Sequence, residues 1–215
     1  MAFSVSPITE NDVEAVLKFM KRTFYVDEPI YKAVGYCTSE NDDTFDSDEY
    51  CRHILPGVSY QAKDNDGNII GALLCDICPV ANPTIYTHAL RDCRSPRYKT
   101  IIQMCIVREI LTEIWSKFPN DVNLIEVKMA STDLQWRNKG VMNRLMVKVE
   151  NAAKENNVRL LRMETSSAYS AKSAERRGFK CIFKRLYTDF QLDGKPFIVT
   201  EPPHVDDRVY VKELF

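Results

Sequence analysis

Two adjacent acidic residues near the N-terminus, Asp27 and Glu28, lie in the stretch RTFYVDEPIYKAVG, where aromatic and aliphatic residues surround them. Pro29 restrains Glu28 to extended backbone geometry, because proline disfavours a helical residue before it. A carboxylate that is partly desolvated by such neighbours has a raised pKa, which suits removal of a proton from an ammonium group. The spacing alone favours a solvated pair of acids at the end of a helix, so both interpretations stay open.

A second stretch, WRNKGVMNRL at residues 136–145, follows a predicted strand and opens a predicted helix. At such a position, free amide groups and the positive end of the helix dipole point outward together and can bind phosphate. Gly140 permits backbone geometry that a side chain would block, and Arg137, Lys139 and Arg144 add positive charge. Taken alone, the pattern favours the solvated start of an ordinary helix.

Three serines, Ser166, Ser167 and Ser170, cluster in TSSAYSA at the junction of a predicted strand and a predicted helix. Serine is a favoured helix N-cap, and capping alone would explain Ser166 or Ser167. A serine hydroxyl can relay a proton or hold a water molecule, although its pKa makes it a poor unaided acid or base. Tyr169 is a second-choice acid whose favoured role is packing.

The elements that position these residues follow from the hydrophobic pattern. Residues 3–7 form a first strand, and Thr9 caps a helix with one apolar face. A hairpin over residues 58–77 turns at Asp66-Gly67, and Ser95-Pro96 starts a long helix that ends near residue 118. Residues 123–131 and 158–165 form strands, with helices at about 140–156 and 168–179 and closing strands at 181–190 and 208–214. This order predicts a mixed α/β (α+β) single domain, residues 1–215, around one sheet.

Charge and composition limit the classes of partner. Lys and Arg total 29 against 30 Asp and Glu, so the net charge of -1 gives no global attraction to nucleic acid or anionic lipid. The N-terminus lacks a signal-peptide pattern, and no apolar run approaches the roughly 20 residues that span a bilayer. We therefore expect a cytoplasmic protein without membrane or nucleic-acid partners. The absence of a clear interface stripe predicts a monomer.

Metal binding is not expected. Cys75 and Cys78 form one CxxC inside an apolar strand, which favours ordinary burial, and the histidines at 53, 88 and 204 show no metal-ligand spacing. The acidic segment SENDDTFDSDE at residues 39–49 is predicted to be a surface loop or short helix. An alternative is that this segment lies near an entrance used by cationic substrates.

The order strand, loop, helix, strand and short helix ending in Gly178-Phe179 resembles the acetyl-CoA-binding half of the GNAT superfamily of N-acetyltransferases. The family's loop has Arg or Gln, two residues, Gly, one residue, then Gly or Ala. Arg137, Gly140 and Met142 occupy those places, and Met142 departs from the pattern because it is bulky. The resemblance implies the GNAT fold, in which helices flank a central, mostly antiparallel twisted sheet with a splayed parallel strand pair.

This resemblance also implies acetyl-CoA as co-substrate, and no metal. Loop amides would bind its pyrophosphate, and the end of the preceding strand would pair with its pantetheine arm. The residues expected to bind it are Met129, Ala130, Ser131, Thr132, Asp133, Arg137, Asn138, Lys139, Gly140, Val141, Met142, Asn143 and Ser167.

Local sequences also resemble insect arylalkylamine N-acetyltransferases: the aromatic-x-Asp-Glu-Pro segment, TSSAYSA and Pro203-His204-Val205. The resemblance implies that Glu28 is the general base and that Ser166 and Ser170 act near substrate and coenzyme. The residues expected at the substrate are Tyr25, Asp27, Tyr31 and His204.

The general acid is a departure from the wider family. Many GNAT enzymes have a tyrosine four residues before the terminal glycine, and this chain has Ala174 there. The leaving thiolate would therefore receive its proton through Ser166, Ser170 or water.

The function predicted on this basis is transfer of acetyl from acetyl-CoA to the primary amine of a small arylalkylamine, such as dopamine, tyramine, octopamine, tryptamine or serotonin. Two alternatives remain. One is an acetyltransferase for a polyamine, agmatine or another amine acceptor, and the other is a non-catalytic module that binds acetyl-CoA.

Overall fold

The computed structural model of the protein describes residues 2–80 and 85–215, except for the side chains of Ile85, Thr87 and His88. The His88 side chain, one of the three histidines considered above, therefore lies outside the described residues. The strands are β1 (Ser4–Pro7), β2 (Tyr60–Lys63), β3 (Ile69–Pro79), β4 (Asn123–Thr132), β5 (Leu160–Thr165), β6 (Lys180–Leu186), β7 (Gln191–Leu192), β8 (Lys195–Pro196) and β9 (Asp206–Glu213). The helices are α1 (Val13–Met20), α2 (Pro29–Val34), α3 (Phe45–Ile54), α4 (Ile85–Asp92), α5 (Pro96–Thr112), α6 (Ile114–Lys117), α7 (Val141–Glu155) and α8 (Ala168–Arg176).

Seven of these strands form one sheet in the order β1-β2-β3-β4-β5-β9-β6, and β7 pairs with β8 separately. Neighbouring strands of the large sheet are antiparallel, except that β4 and β5 run parallel. The mixed architecture expected from the sequence, with a mostly antiparallel sheet and one parallel pair, is confirmed.

The parallel pair splays apart along its length. β4 and β5 pair from Leu124 with Leu160 to Val127 with Met163. Beyond that point β4 continues beside β3 as far as Thr132, and β5 continues beside β9 as far as Thr165. The facing edges of β4 and β5 therefore separate, and they open a slot in the middle of the sheet.

Helices cover both faces of the sheet. On one face, α7 and α8 bury Leu145, Val149 and Ala171 against apolar residues of β3, β4 and β5. On the other face, α1, α2, α3 and α5 pack together over residues that include Leu74 and Met129. The amphipathic patterns of α1, α5 and α7 in the sequence account for these two layers.

The first helix departs from its expected periodicity. A 3₁₀ turn at Glu10–Asp12 precedes α1, and a π-helix at Lys21–Tyr25 follows it. Because a π-helix closes each hydrogen bond one residue later than an α-helix, the face that points inward shifts by one position. Tyr25, rather than Phe24, is consequently fully buried in the core.

Other differences concern helix ends and short elements. The long helix expected to reach residue 118 breaks at Glu113, whose φ of 47° is left-handed, and continues as α6. The acidic segment at 39–49 is a turn that leads into α3 at Phe45. The expected strand at 181–190 ends at Leu186 and is followed by a 3₁₀ turn at Tyr187–Asp189. Helix α4 was not expected from the sequence.

The cysteines have structural surroundings. All seven are free thiols, and Cys75 and Cys78 are buried in different apolar clusters, so the expected burial of this pair is confirmed. Among the described helices, none has the length and apolar character needed to cross a membrane.

Candidate active site

A cavity of about 1620 Å³ begins at the slot between β4 and β5 and extends between α2, α3 and α5. All three chemical stretches recognised in the sequence contribute residues to its wall. The sequence-predicted residues that line it are Asp27, Glu28, Tyr31, Met129, Ala130, Ser131, Thr132, Arg137, Asn138, Gly140, Val141, Met142, Asn143, Ser166, Ser167, Ser170 and His204.

The start of α7 forms one wall of the cavity. Gly140 is the N-cap of this helix, with a left-handed φ of 79°, and Arg144 donates its amide to the Gly140 carbonyl at 3.1 Å. The amides of Val141, Met142 and Asn143 belong to the first turn, where a helix offers them no acceptor. The Met142 side chain packs partly against the core beneath α7 and also lines the cavity. The arrangement suits an anion such as a pyrophosphate.

Asp133 and Lys139 do not line this cavity. Asp133 caps the short 3₁₀ helix Leu134–Trp136, accepts the amide of Gln135 at 3.0 Å, and forms an ion pair with Arg22 at 3.2 Å. The Lys139 ammonium lies 5.4 Å from the centre of the Trp136 ring. Both expected contacts with coenzyme A remain predictions.

Arg137 joins the loop before α7 to the segment that holds the candidate base. Its guanidinium contacts the carboxylate of Asp27 at 2.7 Å. This ion pair is half exposed, and pairs of that kind contribute about 1 kcal/mol or less to stability. The ion pair therefore adds little stability, but it shows that the loop before α7 and the segment around Glu28 lie next to each other.

Glu28 is a buried carboxylate at the N-terminus of α2, only 9% exposed. It is the N-cap of that helix, and its Oε2 accepts the amide of Tyr31 at 2.7 Å. Burial raises the pKa of Glu28, while a hydrogen bond from the Ser166 side chain and the Tyr31 amide oppose the rise. A carboxylate of raised pKa in contact with a cavity can take a proton from an ammonium group near neutral pH.

The three serines have separate places. Ser167 is the N-cap of α8, and its Oγ accepts the amide of Ser170 at 3.0 Å. The Ser170 hydroxyl donates to the Ser167 carbonyl at 2.9 Å and lies in the first turn of α8. Ser166, one residue before the cap, faces Glu28. The sequence left open whether Ser166 or Ser167 caps the helix, and the structure shows that Ser167 does.

The expected substrate residues divide into two groups. Tyr31, Asp27 and His204 line the cavity, and the Nδ1 of His204 accepts the amide of Ala168 at 3.2 Å. Tyr25 does not line it. Its phenol is buried 3.2 Å from the sulfur of Cys51, and its ring stacks on that of Tyr31 at 5.6 Å. Tyr25 thus packs against Tyr31, on the side of that ring away from the cavity.

Sequence reasoning missed a layer of buried charge beneath α5. Arg108 binds Asp207 through two bonds, from Nε to Oδ2 at 2.7 Å and from Nη2 to Oδ1 at 2.9 Å, and it also contacts Glu164. Arg108 and Glu164 both line the cavity. Burial raises the pKa of Asp207 to about 6, against the opposing effect of Arg108. No local sequence pattern predicts this layer, because Arg108 comes from a helix and Glu164 and Asp207 come from two separate strands.

Tyr187 was also missed. It is 2% exposed, and its phenol donates to the carbonyl oxygen of Ser166 at 2.9 Å. Burial raises the pKa of Tyr187 well above its ordinary range, so the phenol remains a hydrogen-bond donor. This contact fixes the backbone at the residue that faces Glu28.

The acidic segment reaches the cavity at its C-terminal end. Asp46 and Glu49 of α3 are among the lining residues. The carboxylate of Asp46 accepts the amides of Arg94 and Ser95, at 2.9 and 2.8 Å. Within the described part of the chain, no group of three or more His, Cys, Asp or Glu residues is arranged to hold a metal ion.

Comparison with known proteins identifies the fold. No protein-family model matches the chain. Among solved structures, arylalkylamine N-acetyltransferase 2 from Aedes aegypti superposes with a TM-score of 0.92, at 22% identity over 100% of both chains. The Drosophila melanogaster polyamine N-acetyltransferase, which forms N-acetylagmatine, gives a TM-score of 0.87 at 22% identity, over 99% of this chain and 100% of that chain.

A third structure, Arabidopsis thaliana NAA60 in complex with acetyl-CoA, gives a TM-score of 0.58 at 14% identity, over 99% of both chains. Identities this low establish a shared fold. The GNAT fold expected from the sequence is therefore confirmed, and insect arylalkylamine N-acetyltransferases are among the structural neighbours, as the sequence resemblance predicted.

Proposed function

We propose that the protein transfers an acetyl group from acetyl-CoA to the primary amine of a small arylalkylamine. The observation that carries this proposal is the position of Glu28, a buried carboxylate in contact with Ser166. Glu28 lies on the wall of the same cavity that the first residues of α7, with their free amides, also line. The fold shared with the Aedes aegypti arylalkylamine N-acetyltransferase supports the acceptor class. The fold shared with NAA60 bound to acetyl-CoA supports the donor.

In this proposal the α7 amides bind the pyrophosphate of acetyl-CoA. Arg137 adds positive charge beside them, and residues 129–132 of β4 pair with the pantetheine arm along the edge that β5 leaves free. The thioester then lies in the slot between β4 and β5. A backbone amide of β4 near Met129 donates to the thioester carbonyl oxygen, where negative charge develops during attack.

Glu28 accepts a proton from the ammonium of the acceptor, directly or through an ordered water molecule. The neutral amine attacks the thioester carbonyl in a ternary complex, a C–N bond forms, and the C–S bond breaks. The leaving thiolate of coenzyme A takes a proton through Ser166, Ser170 or water. Tyr31, Asp27 and His204 form part of the wall that holds the acceptor.

A second acceptor class has its own supporting observation. Asp46 and Glu49 place carboxylates on the cavity wall, as the second charge of a polyamine or agmatine would require. The fold is also that of the Drosophila polyamine N-acetyltransferase. A non-catalytic module that binds acetyl-CoA is disfavoured, because such a module would not need a buried carboxylate in contact with a serine.

The same proposal treats residues 1–215 as one catalytic domain that acts in the cytoplasm as a monomer. Release of coenzyme A, measured with acetyl-CoA and a panel of amines, tests the function. Turnover with aromatic monoamines supports the arylalkylamine assignment, and turnover confined to polyamines would replace it with the second class. Tight binding of acetyl-CoA without turnover on any amine would refute both.

A further inference from the structure

One residue in the cavity wall, Lys128, has a position that the mechanism above does not use. In the ladder between β3 and β4, Leu74 pairs with Met129 and Cys75 pairs with Val127, so Lys128 is an extra residue that forms a β-bulge. Bulges redirect a side chain locally and are enriched next to active sites. Lys128 is the residue before Met129, at the point where β4 leaves β5 and the slot opens.

The Lys128 side chain is nevertheless only 5% exposed. Its ammonium contacts the carboxylate of Glu126, which is 4% exposed, and lies 5.9 Å from the centre of the Tyr86 ring. An ammonium group has three N–H donors. Among the described contacts, Glu126 is the one hydrogen-bond acceptor of Lys128, so further donors are available to a molecule in the cavity.

The charges around Lys128 keep this ammonium ionised. Glu126 lies between Asp76 on β3 and Arg162 on β5, each its partner across the sheet. Although burial opposes ionisation, Lys128 and Arg162 lower the pKa of Glu126 to about 2. Burial raises the pKa of Asp76, and Lys128 opposes that rise. Lys128 and Glu126 therefore form an ion pair in which both groups keep their charges when a ligand enters the cavity.

Two acids on the α3 side of the cavity, Asp46 and Glu49, are bonded elsewhere or exposed. Asp46 already accepts two backbone amides, from Arg94 and Ser95. The Glu49 side chain is 46% exposed and pairs with Arg52 at 3.5 Å. An exposed carboxylate is screened by water, whereas an ammonium buried in the wall acts through a medium of lower dielectric constant.

We propose that Lys128 determines acceptor specificity, by donating a hydrogen bond to a hydroxyl oxygen on the ring of the acceptor and by disfavouring acceptors with a second positive charge beside it. This inference rests on the proposed acetyltransferase function and names the substrate class within it. The acceptor is then a monoamine whose ring carries a hydroxyl group. Sites built to hydrogen-bond a substrate hydroxyl discriminate strongly against the analogue that lacks it, because the buried donor is left unpaired.

The test compares three acceptors that differ only in the features at issue: tyramine, phenethylamine without the hydroxyl, and agmatine with a second charge. For the wild-type protein we expect kcat/KM to be at least about tenfold higher for tyramine than for phenethylamine, as the loss of a hydrogen bond to a charged group implies. Agmatine should be the poorest acceptor. A wild-type ratio of tyramine to phenethylamine near one would overturn the proposal without any variant.

Variants then assign the effect to Lys128. Lys128→Met should lower the ratio of tyramine to phenethylamine towards one and raise kcat/KM for agmatine relative to both, whereas Lys128→Arg keeps the charge and should retain the discrimination. Because Lys128→Met leaves Glu126 unpaired in a buried place, the double variant Lys128→Met/Glu126→Gln removes both charges together. Folded variants with the wild-type ratio would refute the role of Lys128.

The outcomes separate this inference from the proposed function. If the wild-type protein releases coenzyme A with aromatic monoamines but the variants do not change the ratios, the role of Lys128 is wrong and the acetyltransferase function stands. If no amine is acetylated, the proposed function is refuted, and the specificity role falls with it.

Discussion

The Oε2 of Glu28 accepts the amide of Tyr31 at 2.7 Å, so the proposed general base is also the N-cap of α2. The two interpretations of the acid pair in the sequence are thus both partly correct. Glu28 is an acid at a helix end, but it is a buried one. The capping bond holds one carboxylate oxygen in place, while the Ser166 side chain contacts the same carboxylate.

Alanine variants of the three serines should distinguish a structural role from a catalytic one. Ser167→Ala removes the N-cap of α8 and should cost about 1 kcal/mol of unfolding free energy. Ser166→Ala removes the hydroxyl that faces Glu28 and should lower kcat more than Ser170→Ala does, because Ser170 is bonded to Ser167. Chemical denaturation and steady-state kinetics on the three variants measure both effects. An unchanged kcat in Ser170→Ala would leave that serine with a packing role.

Tyr187 should act as a positioning residue. Tyr187→Phe removes the hydrogen bond to the Ser166 carbonyl and should lower kcat roughly fivefold, with little change in the KM for acetyl-CoA. Tyr210→Phe is a matched control, since its phenol is bonded to Glu175 at 2.7 Å and it does not line the cavity. Equal losses of kcat in the two variants would show that the effect of Tyr187 is one of stability alone.

Gly140 should matter for coenzyme binding through its backbone. Its φ is 79°, and an added Cβ would meet no atom within 4 Å, so the cost of Gly140→Ala comes from the left-handed backbone. That strain of about 1–2 kcal/mol should shift the start of α7 and weaken acetyl-CoA binding roughly threefold or more. Isothermal titration calorimetry measures the change in Kd.

Gly67 provides the control for that measurement. It has a φ of 84° and equal open space, but it lies in the hairpin between β2 and β3. Gly67→Ala should destabilise the protein by a similar amount and leave the Kd for acetyl-CoA unchanged. Equal weakening of acetyl-CoA binding in both variants would place the pyrophosphate site elsewhere.

The elements with strong local signals could be predicted from the sequence. Gly140 at the start of α7, the serines before α8 and the acid pair before α2 each combine a backbone constraint with a short motif, and all three lie at the cavity. The helix at residues 10–24 was predicted by its periodicity, but the π-helix was not. Its shift of one residue placed Tyr25 behind the wall rather than in it.

The buried charges could not be predicted in the same way. Glu126 and Lys128 alternate along β4 as exposed polar residues of a strand would, yet both side chains are buried, and the Lys128 ammonium lies 5.9 Å from the centre of the Tyr86 ring of α4. Arg108 and Asp207 are 99 residues apart in the sequence, and only the packing of α5 over β9 brings them together. Asp133 was predicted at the coenzyme by its place at the end of a strand, and Lys139 by its place in the following loop. Neither side chain lines the cavity, since Asp133 pairs with Arg22 and Lys139 lies beside the Trp136 ring.

The most direct test of the proposed function is the pH dependence of coenzyme A release by Glu28→Gln. A Gln side chain can still accept the amide of Tyr31, so the variant should fold and bind acetyl-CoA normally. Glu201→Gln serves as a control, because it makes the same substitution in an exposed residue that pairs with Lys32 of α2.

Because burial raises the pKa of Glu28, the base loses its proton at a higher pH than an exposed glutamate does. In the wild-type protein, kcat/KM should therefore fall as the pH drops through that raised value. We predict that Glu28→Gln lowers kcat by about 100-fold or more with an aromatic monoamine and abolishes this acid limb, whereas Glu201→Gln behaves as wild type. Wild-type turnover by Glu28→Gln between about pH 6 and 9, with the acid limb intact, would contradict the role of Glu28.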